Sequence, residues 1–276
     1  MGTTFYAYGT QVGTTNVQVM RSSDLATWEY LGDALANLPV WAGPGRTWSP
    51  AVLPRGDAYV LYYVVRHRRS DRQAISLAVA TRPEGPFVDA SSEPFVFQLD
   101  RGGSIDPSPF VDVDGTAYLL WKSDDNAIHR PSSLWGQPLR TDGLALSGAR
   151  RTRLLRHDRE WERPLIEAPA MVRDGALYYL FYSGNWWESA TSAIGYAVGT
   201  TPLGPFRKST RSGPWMAGTG PAAGPGGQEF FTDGDGALRM AYHAWTPGRV
   251  GYRAGGARSL RIACVGFTDG RPTIEG

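Results

Sequence analysis

Apolar and polar positions alternate along this chain in short runs, and one kind of run recurs. Phe5-Tyr-Ala-Tyr8, Tyr59-Val-Leu-Tyr62, Tyr118-Leu-Leu-Trp121, Tyr179-Leu-Phe-Tyr182 and Arg239-Met-Ala-Tyr242 each read as a strand rich in aromatic and apolar side chains. Their last members are 54, 59, 61 and 60 residues apart. Four of the five follow a glycine-containing turn: Arg55-Gly-Asp57, Val113-Asp-Gly115, Arg173-Asp-Gly175 and Gly234-Asp-Gly236. A further strand follows in several repeats, as in Asn16–Met20, Ala74–Ala80 and Ala193–Val198. A shared polar word closes two of them, Arg82-Pro-Glu-Gly-Pro-Phe87 and Thr201-Pro-Leu-Gly-Pro-Phe206, with Ser23-Asp-Leu-Ala-Thr-Trp28 as the variant in the first. No long stripe of period 3.6 appears, and Gly and Pro interrupt most windows. A period near 60 with about four strands per repeat predicts an all-β fold. Five repeats make it a five-bladed β-propeller over 1–276, one domain without a linker.

The opening strand of each repeat also aligns. Pro50, Pro109 and Pro169 stand 59 and 60 residues apart, in Trp48-Ser-Pro-Ala-Val52, Asp106-Pro-Ser-Pro-Phe-Val111 and Glu167-Ala-Pro-Ala-Met-Val172. The fifth repeat has Gly224-Pro-Gly-Gly-Gln-Glu-Phe-Phe231 at this place. In a propeller the first strand of a blade is innermost, so these windows are expected to converge on one rim. Asp106 and Glu167 are then expected at equivalent positions of neighbouring blades. The counterpart in the first repeat falls ahead of position 1, so the first blade is expected to be incomplete.

Composition changes this picture little. Apolar residues make up 42%, enough for a real core, and 10 Trp, 13 Tyr and 10 Phe suit both short strands and stacking on sugar rings. Net charge is only +2, and the basic runs Arg66-His-Arg-Arg69 and Arg150-Arg-Thr-Arg153 are short and lie in polar connections. Neither nucleic acid nor a membrane is an expected partner, and no run approaches the ~18 apolar residues of a membrane span. The sequence opens directly into a strand, with no signal-peptide pattern. The protein is expected to be secreted if a signal and the first strand precede Met1, and cytoplasmic otherwise. Cys264 is the single cysteine; within Leu260–Phe267 it reads as a buried apolar filler.

The candidate chemistry lies in the carboxylates. Glu167 stands between Ile166 and Ala168-Pro169, with no cation in the immediate word, so desolvation would keep it protonated as a general acid. Asp106 precedes Pro107 and reads either as a turn former or as a second site carboxylate. Asn185-Trp186-Trp187-Glu188 follows the Glu167 hairpin. Paired Trp on a loop is poorly explained by packing, so Asn185 and Trp186 are expected to wall a substrate site. Gln228 is expected on the same rim as a substrate-binding residue, with Glu229 turned the other way by strand alternation. Trp121 is expected in the core, and Lys122, Asp124 and Asp125 in a solvated loop.

Together the words Tyr8-Gly-Thr10, Ser23-Asp-Leu25 with Trp28, Trp48-Ser-Pro50, Ile105–Phe110, Ile166–Pro169, Gly224–Gly227, Tyr242-His-Ala-Trp245 and Asp269–Pro272 span nearly the whole chain. In this order and spacing the chain resembles glycoside hydrolase family 43, the arabinanase, arabinofuranosidase and β-xylosidase group. The resemblance implies a five-bladed propeller and inverting hydrolysis of arabinose- or xylose-containing glycans by three acids. It implies that Glu167 is the general acid and that Asp106 tunes its pKa and orients the sugar. Trp48 would wall the sugar pocket and Arg258 would contact the sugar. His243 would lie near the axis, where some members hold a metal ion. No cofactor is required by this reading, with a calcium or other ion near His243 as an optional structural addition. Two departures accompany the resemblance. The family's general base is an Asp on the strand that the repeat spacing places ahead of position 1. A Gly-Pro-Gly-His word common in the family ends here in Gly227. These departures leave open a second reading, a propeller without its base that binds carbohydrate or serves another purpose.

Overall fold

A computed structural model of the chain describes residues 3–148 and 150–275. Among these residues eighteen strands are assembled into five antiparallel sheets in chain order. The first holds β1 (Phe5–Gly9), β2 (Gln18–Ser22) and β3 (Glu29–Asp33). The second holds β4 (Ala42–Arg55), β5 (Ala58–His67) and β6 (Gln73–Ala80). The third comprises β7 (Ser104–Val111), β8 (Ala117–Ser123), β9 (Ser133–Pro138) and β10 (Thr152–Arg156). The fourth comprises β11 (Ile166–Asp174), β12 (Leu177–Gly184), β13 (Ala193–Gly199) and β14 (Arg207–Lys208). The fifth comprises β15 (Ala223–Thr232), β16 (Leu238–Trp245), β17 (Arg258–Thr268) and β18 (Arg271–Glu275). One sheet per repeat is the blade set of a five-bladed β-propeller, the expected fold class.

Contacts cluster in two compact units, Met1–Arg130 with Trp135–Arg151, and Pro131–Leu134 with Thr152–Gly276. In the first unit one core gathers Val17, Val19, Leu61, Tyr63 and Phe87, and another gathers Val60, Tyr62, Ile75, Leu119 and Trp121. In the second unit Tyr179, Phe181, Ile194, Tyr196 and Met240 form a core, with Phe181 4.6 Å from Phe230 between ring centroids. Central strands β5, β8 and β12 are buried on both faces, which accounts for their near-continuous apolar runs. The repeated polar words form matching turns, with the Gly85 N–H donating to Arg82 O and the Gly204 N–H to Thr201 O. The first-repeat variant closes differently: Ser22 Oγ accepts from the N–H groups of Asp24 and Leu25, and Asp24 Oδ1 accepts from those of Ala26 and Thr27.

Two expectations change at this level. Cys264 is partly exposed on β17, its thiol 3.4 Å from Glu275 Oε2, rather than a buried filler. The carboxylate it faces raises its pKa. Lys122 and Asp125 are not in a solvated loop: both are buried, Lys122 pairing with Asp124, and Asp125 with Arg101 and Ser123. At both positions ion pairs and hydrogen bonds offset the loss of water.

Candidate active site

The opening strands β4, β7, β11 and β15 share one local distortion. In each, two residues oppose one residue of the neighbouring strand: Ser49-Pro50 against Tyr63, Asp106-Pro107 against Trp121, Ala168-Pro169 against Tyr182, and Gly227-Gln228 against Tyr242. The first member of each pair is left-handed, with φ of 45° at Ser49, 55° at Asp106, 50° at Ala168 and 61° at Gly227. These are β-bulges of the left-handed type. Three carry Pro second, which suits a residue whose N–H has no ladder partner. An aromatic residue stands opposite every bulge: Tyr63, Trp121, Tyr182 and Tyr242.

This register revises the expected equivalence of the two acids. Asp106 shares its position with Ser49, Ala168 and Gly227, whereas Glu167 shares its position with Trp48, Ile105 and Gly226. The acids are therefore offset by one residue. The proline in line with Pro50 and Pro169 is Pro107, while Pro109 pairs with Leu119 in the regular ladder. Likewise Tyr63, not Tyr62, aligns with Trp121, Tyr182 and Tyr242. The two acids also fall in different units.

In the first unit, Ser49 Oγ donates to Asp106 Oδ1 at 2.7 Å, so one bulge holds the acid of the next. Asp is one of the few residues that adopts the left-handed region readily. Trp48, beside Ser49, is 38% exposed and free to present its ring to a ligand. Trp121 faces Asp106-Pro107 from the core and donates through Nε1 to Gln98 Oε1 at 2.6 Å.

In the second unit, Glu167 is half-buried at the residue before the Ala168 bulge and pairs across the ladder with Ser183. Ser183 is a hub. Its Oγ accepts from the Gly227 N–H at 2.9 Å and donates to Gln228 Oε1 at 2.9 Å. Gln228 Nε2 then donates to Ala168 O at 2.5 Å. Gln228 was expected to face substrate; it is 1% exposed, with both ends of its amide engaged inside the fold. Glu229 is exposed and turned the other way, as strand alternation requires.

Asn185 is left-handed, φ 75°, at the end of β12. Its Oδ1 accepts from the Trp186 N–H at 2.7 Å and its Nδ2 donates to Thr191 Oγ1 at 3.0 Å. Its amide thus shapes the loop that turns Trp186 outward, 44% exposed. Trp187 stacks on Trp245 at 5.8 Å, and the Arg258 guanidinium lies 4.9 Å from the Trp187 ring centroid. Trp187, itself packed on Trp245 and Tyr252, lies 6.2 Å from the exposed Trp186 between ring centroids.

His243 pairs with Gly226 across the β15–β16 ladder. A Cβ on Gly227 would lie 2.7 Å from its Nδ1. The left-handed backbone and this ring together account for glycine where a Gly-Pro-Gly-His word would place histidine. His243 Nε2 is buried without a hydrogen-bond partner. Burial, with the nearby Arg258 charge, pushes its pKa down to about 3, so the ring is neutral and offers a lone pair. A single imidazole nitrogen is a poor match to calcium, which takes six to eight oxygen ligands. Among the described residues no group of three or more His, Cys, Asp and Glu stands together to hold a metal. The residues present therefore do not fit a metal site by themselves.

Comparison with known proteins agrees with this fold. The family model for "Glycosyl hydrolases family 43" matches residues 1–272. A β-D-galactofuranosidase of Aspergillus niger is 26% identical over 88% of this chain and 68% of its own length. A probable arabinan endo-1,5-α-L-arabinosidase of Aspergillus flavus is 26% identical over 98% of this chain and 86% of its own. The crystal structure of a thermostable family-43 glycoside hydrolase superposes with a TM-score of 0.86 at 28% identity, covering 99% of this chain and 89% of that one. That of an endo-1,4-β-xylanase from Bacteroides thetaiotaomicron gives 0.83 at 27% identity, covering 99% and 90%. With the match running along nearly all of its length, the chain belongs to glycosyl hydrolase family 43.

Proposed function

We propose that this glycosidase hydrolyses arabinofuranosyl or xylosyl linkages in plant-type glycans with inversion, and that Glu167 is its general acid. The carrying observation is Glu167 itself: a half-buried carboxyl fixed at the entry to a bulge, in a chain of this family. Water attacks the anomeric carbon, the bond from that carbon to the glycosidic oxygen breaks, and the Glu167 proton goes to the departing oxygen. The water's proton goes to a second carboxylate acting as general base. Asp106, held by Ser49, is the modulating acid, and Trp48, Trp186 and Arg258 are the sugar contacts. Relatives named as an arabinoxylan arabinofuranohydrolase of Bacillus subtilis and a putative β-xylosidase of Xylanibacter ruminicola support this substrate class. No step is routed through a metal at His243.

The test is hydrolysis of phenyl α-L-arabinofuranoside and phenyl β-D-xyloside by the chain and by Glu167→Gln. Loss of a general acid lowers turnover by about 10²–10⁴-fold. Equal turnover by the two proteins would refute the assignment, and binding of these glycans without turnover by either would favour a carbohydrate-binding protein.

A further inference from the structure

Gln228 occupies the second bulge position of β15, where the other three opening strands carry proline. A glutamine there is unnecessary for the bulge itself, and its side chain is turned to the neighbouring sheet. Its amide spans two atoms that flank Glu167: the carbonyl of Ala168, the next residue in the chain, and the hydroxyl of Ser183, the cross-strand partner. The orientation of the amide is forced, since a carbonyl oxygen accepts only and Nε2 must be the atom that faces it. Ala168 is left-handed with no side chain of its own to hold that conformation. At 1% exposure the amide is out of reach of bulk water.

We propose that Gln228 is a positioning residue for Glu167. Through Ala168 O and Ser183 Oγ it fixes the bulge and the ladder partner on either side of the acid, and so sets the direction of the carboxyl toward the leaving oxygen. The inference rests on Glu167 being the general acid. It adds that proton delivery depends on a glutamine that never touches the sugar. Misplacement of a catalytic group by about 1 Å can cost 10²-fold in rate.

A general acid matters in proportion to how badly the leaving group needs a proton. The experiment therefore compares phenyl with 2,4-dinitrophenyl α-L-arabinofuranosides and β-D-xylosides. The proteins are the unaltered chain, Glu167→Gln, Gln228→Met and Gln228→Glu. Glu167→Gln is expected to lose about 10² or more on phenyl glycosides and little on dinitrophenyl glycosides. Gln228→Met, which keeps volume without hydrogen bonds, is expected to show the same split at about tenfold, in kcat with KM unchanged. Gln228→Glu retains the acceptor for Ser183 but donates to Ala168 O only when protonated, so its loss on phenyl glycosides should shrink as pH falls. Equal losses on both leaving groups, or none, in both Gln228 variants would overturn the positioning role while Glu167→Gln still shows its split. No split in Glu167→Gln would instead overturn the general-acid assignment, and this inference with it. If Gln228→Met fails to fold, the pH response of Gln228→Glu decides alone.

Discussion

Single residues in this chain are chosen for backbone conformation as much as for chemistry. Gly227 combines a left-handed φ with an imidazole 2.7 Å from where its Cβ would stand, so any side chain here would strain the backbone and crowd His243. Asp24 shows the same logic on the surface. It accepts two backbone N–H bonds and closes the turn after β2, where Leu25 is itself left-handed at φ 62°. Those N–H bonds, from Thr27 and Ala26, hold its pKa at about 2, below the ordinary 3.8. A carboxyl with a depressed folded pKa stabilises the fold above its unfolded pKa, and that contribution is lost as pH falls through the folded value. Unfolding measured by urea between about pH 4 and pH 2 should therefore show a declining stability. Asp24→Asn should remove that part of the decline, and an unchanged pH profile in the variant would contradict the assignment. The Ser23-Asp-Leu25 word was legible as a marker of the first repeat. The acceptor geometry that gives it meaning was not.

At the scale of elements, the bulged opening strand is the working unit. A left-handed L-residue costs roughly 1–2 kcal/mol. Ala168 has no polar side chain with which to offset that cost. Glycine at 168 would relieve the strain and forfeit about 0.5–1 kcal/mol of chain entropy. Ala168→Gly is expected to leave the melting temperature unchanged or slightly raised while lowering turnover, because the carbonyl that Gln228 holds becomes easier to move. A clear loss of stability in this variant would show that the left-handed alanine is not strained. The repeats were visible in sequence because alternating burial is a local property of a strand. The bulges were not, because a bulge is defined by what lies opposite it. Spacing alone selected Pro109, at 59 and 60 residues from its neighbours, whereas pairing selects Pro107. Connections of unequal length between repeats absorb the difference.

At the scale of the molecule, the two compact units solve the same problem with different buried chemistry. In the second unit Lys208, 4% exposed, lies 2.7 Å from Glu162, which is fully buried. Lys208 also reaches Asp158 Oδ1 at 2.8 Å and Arg156 O at 2.7 Å. Glu162 accepts in addition from Tyr182 Oη at 2.8 Å. Tyr182 stands opposite the Ala168-Pro169 bulge in the ladder, next to Ser183, so this charge cluster holds the strand that pairs with Glu167. Breaking one side of a buried ion pair leaves an uncompensated charge and costs about 3–5 kcal/mol. Lys208→Met should destabilise the protein by about that amount in thermal or denaturant unfolding. Glu162→Gln combined with Lys208→Met should recover much of it, and a mild effect of the single change would show that water enters the cluster.

The sequence by itself determined the repeat, the five sheets, the family and the identity of Glu167 and Asp106 as the acids to consider. Those follow from patterns within a few residues, where strand periodicity, turn glycines and an acid among apolar neighbours carry their own physical meaning. Only the tertiary structure decided that the two acids stand one position apart, that Ser49 holds Asp106, and that Gln228 faces inward to the Glu167 bulge. Each of these depends on which residues meet across a ladder or between sheets. A single extra residue in a strand changes that meeting without altering the local pattern of apolar and polar positions.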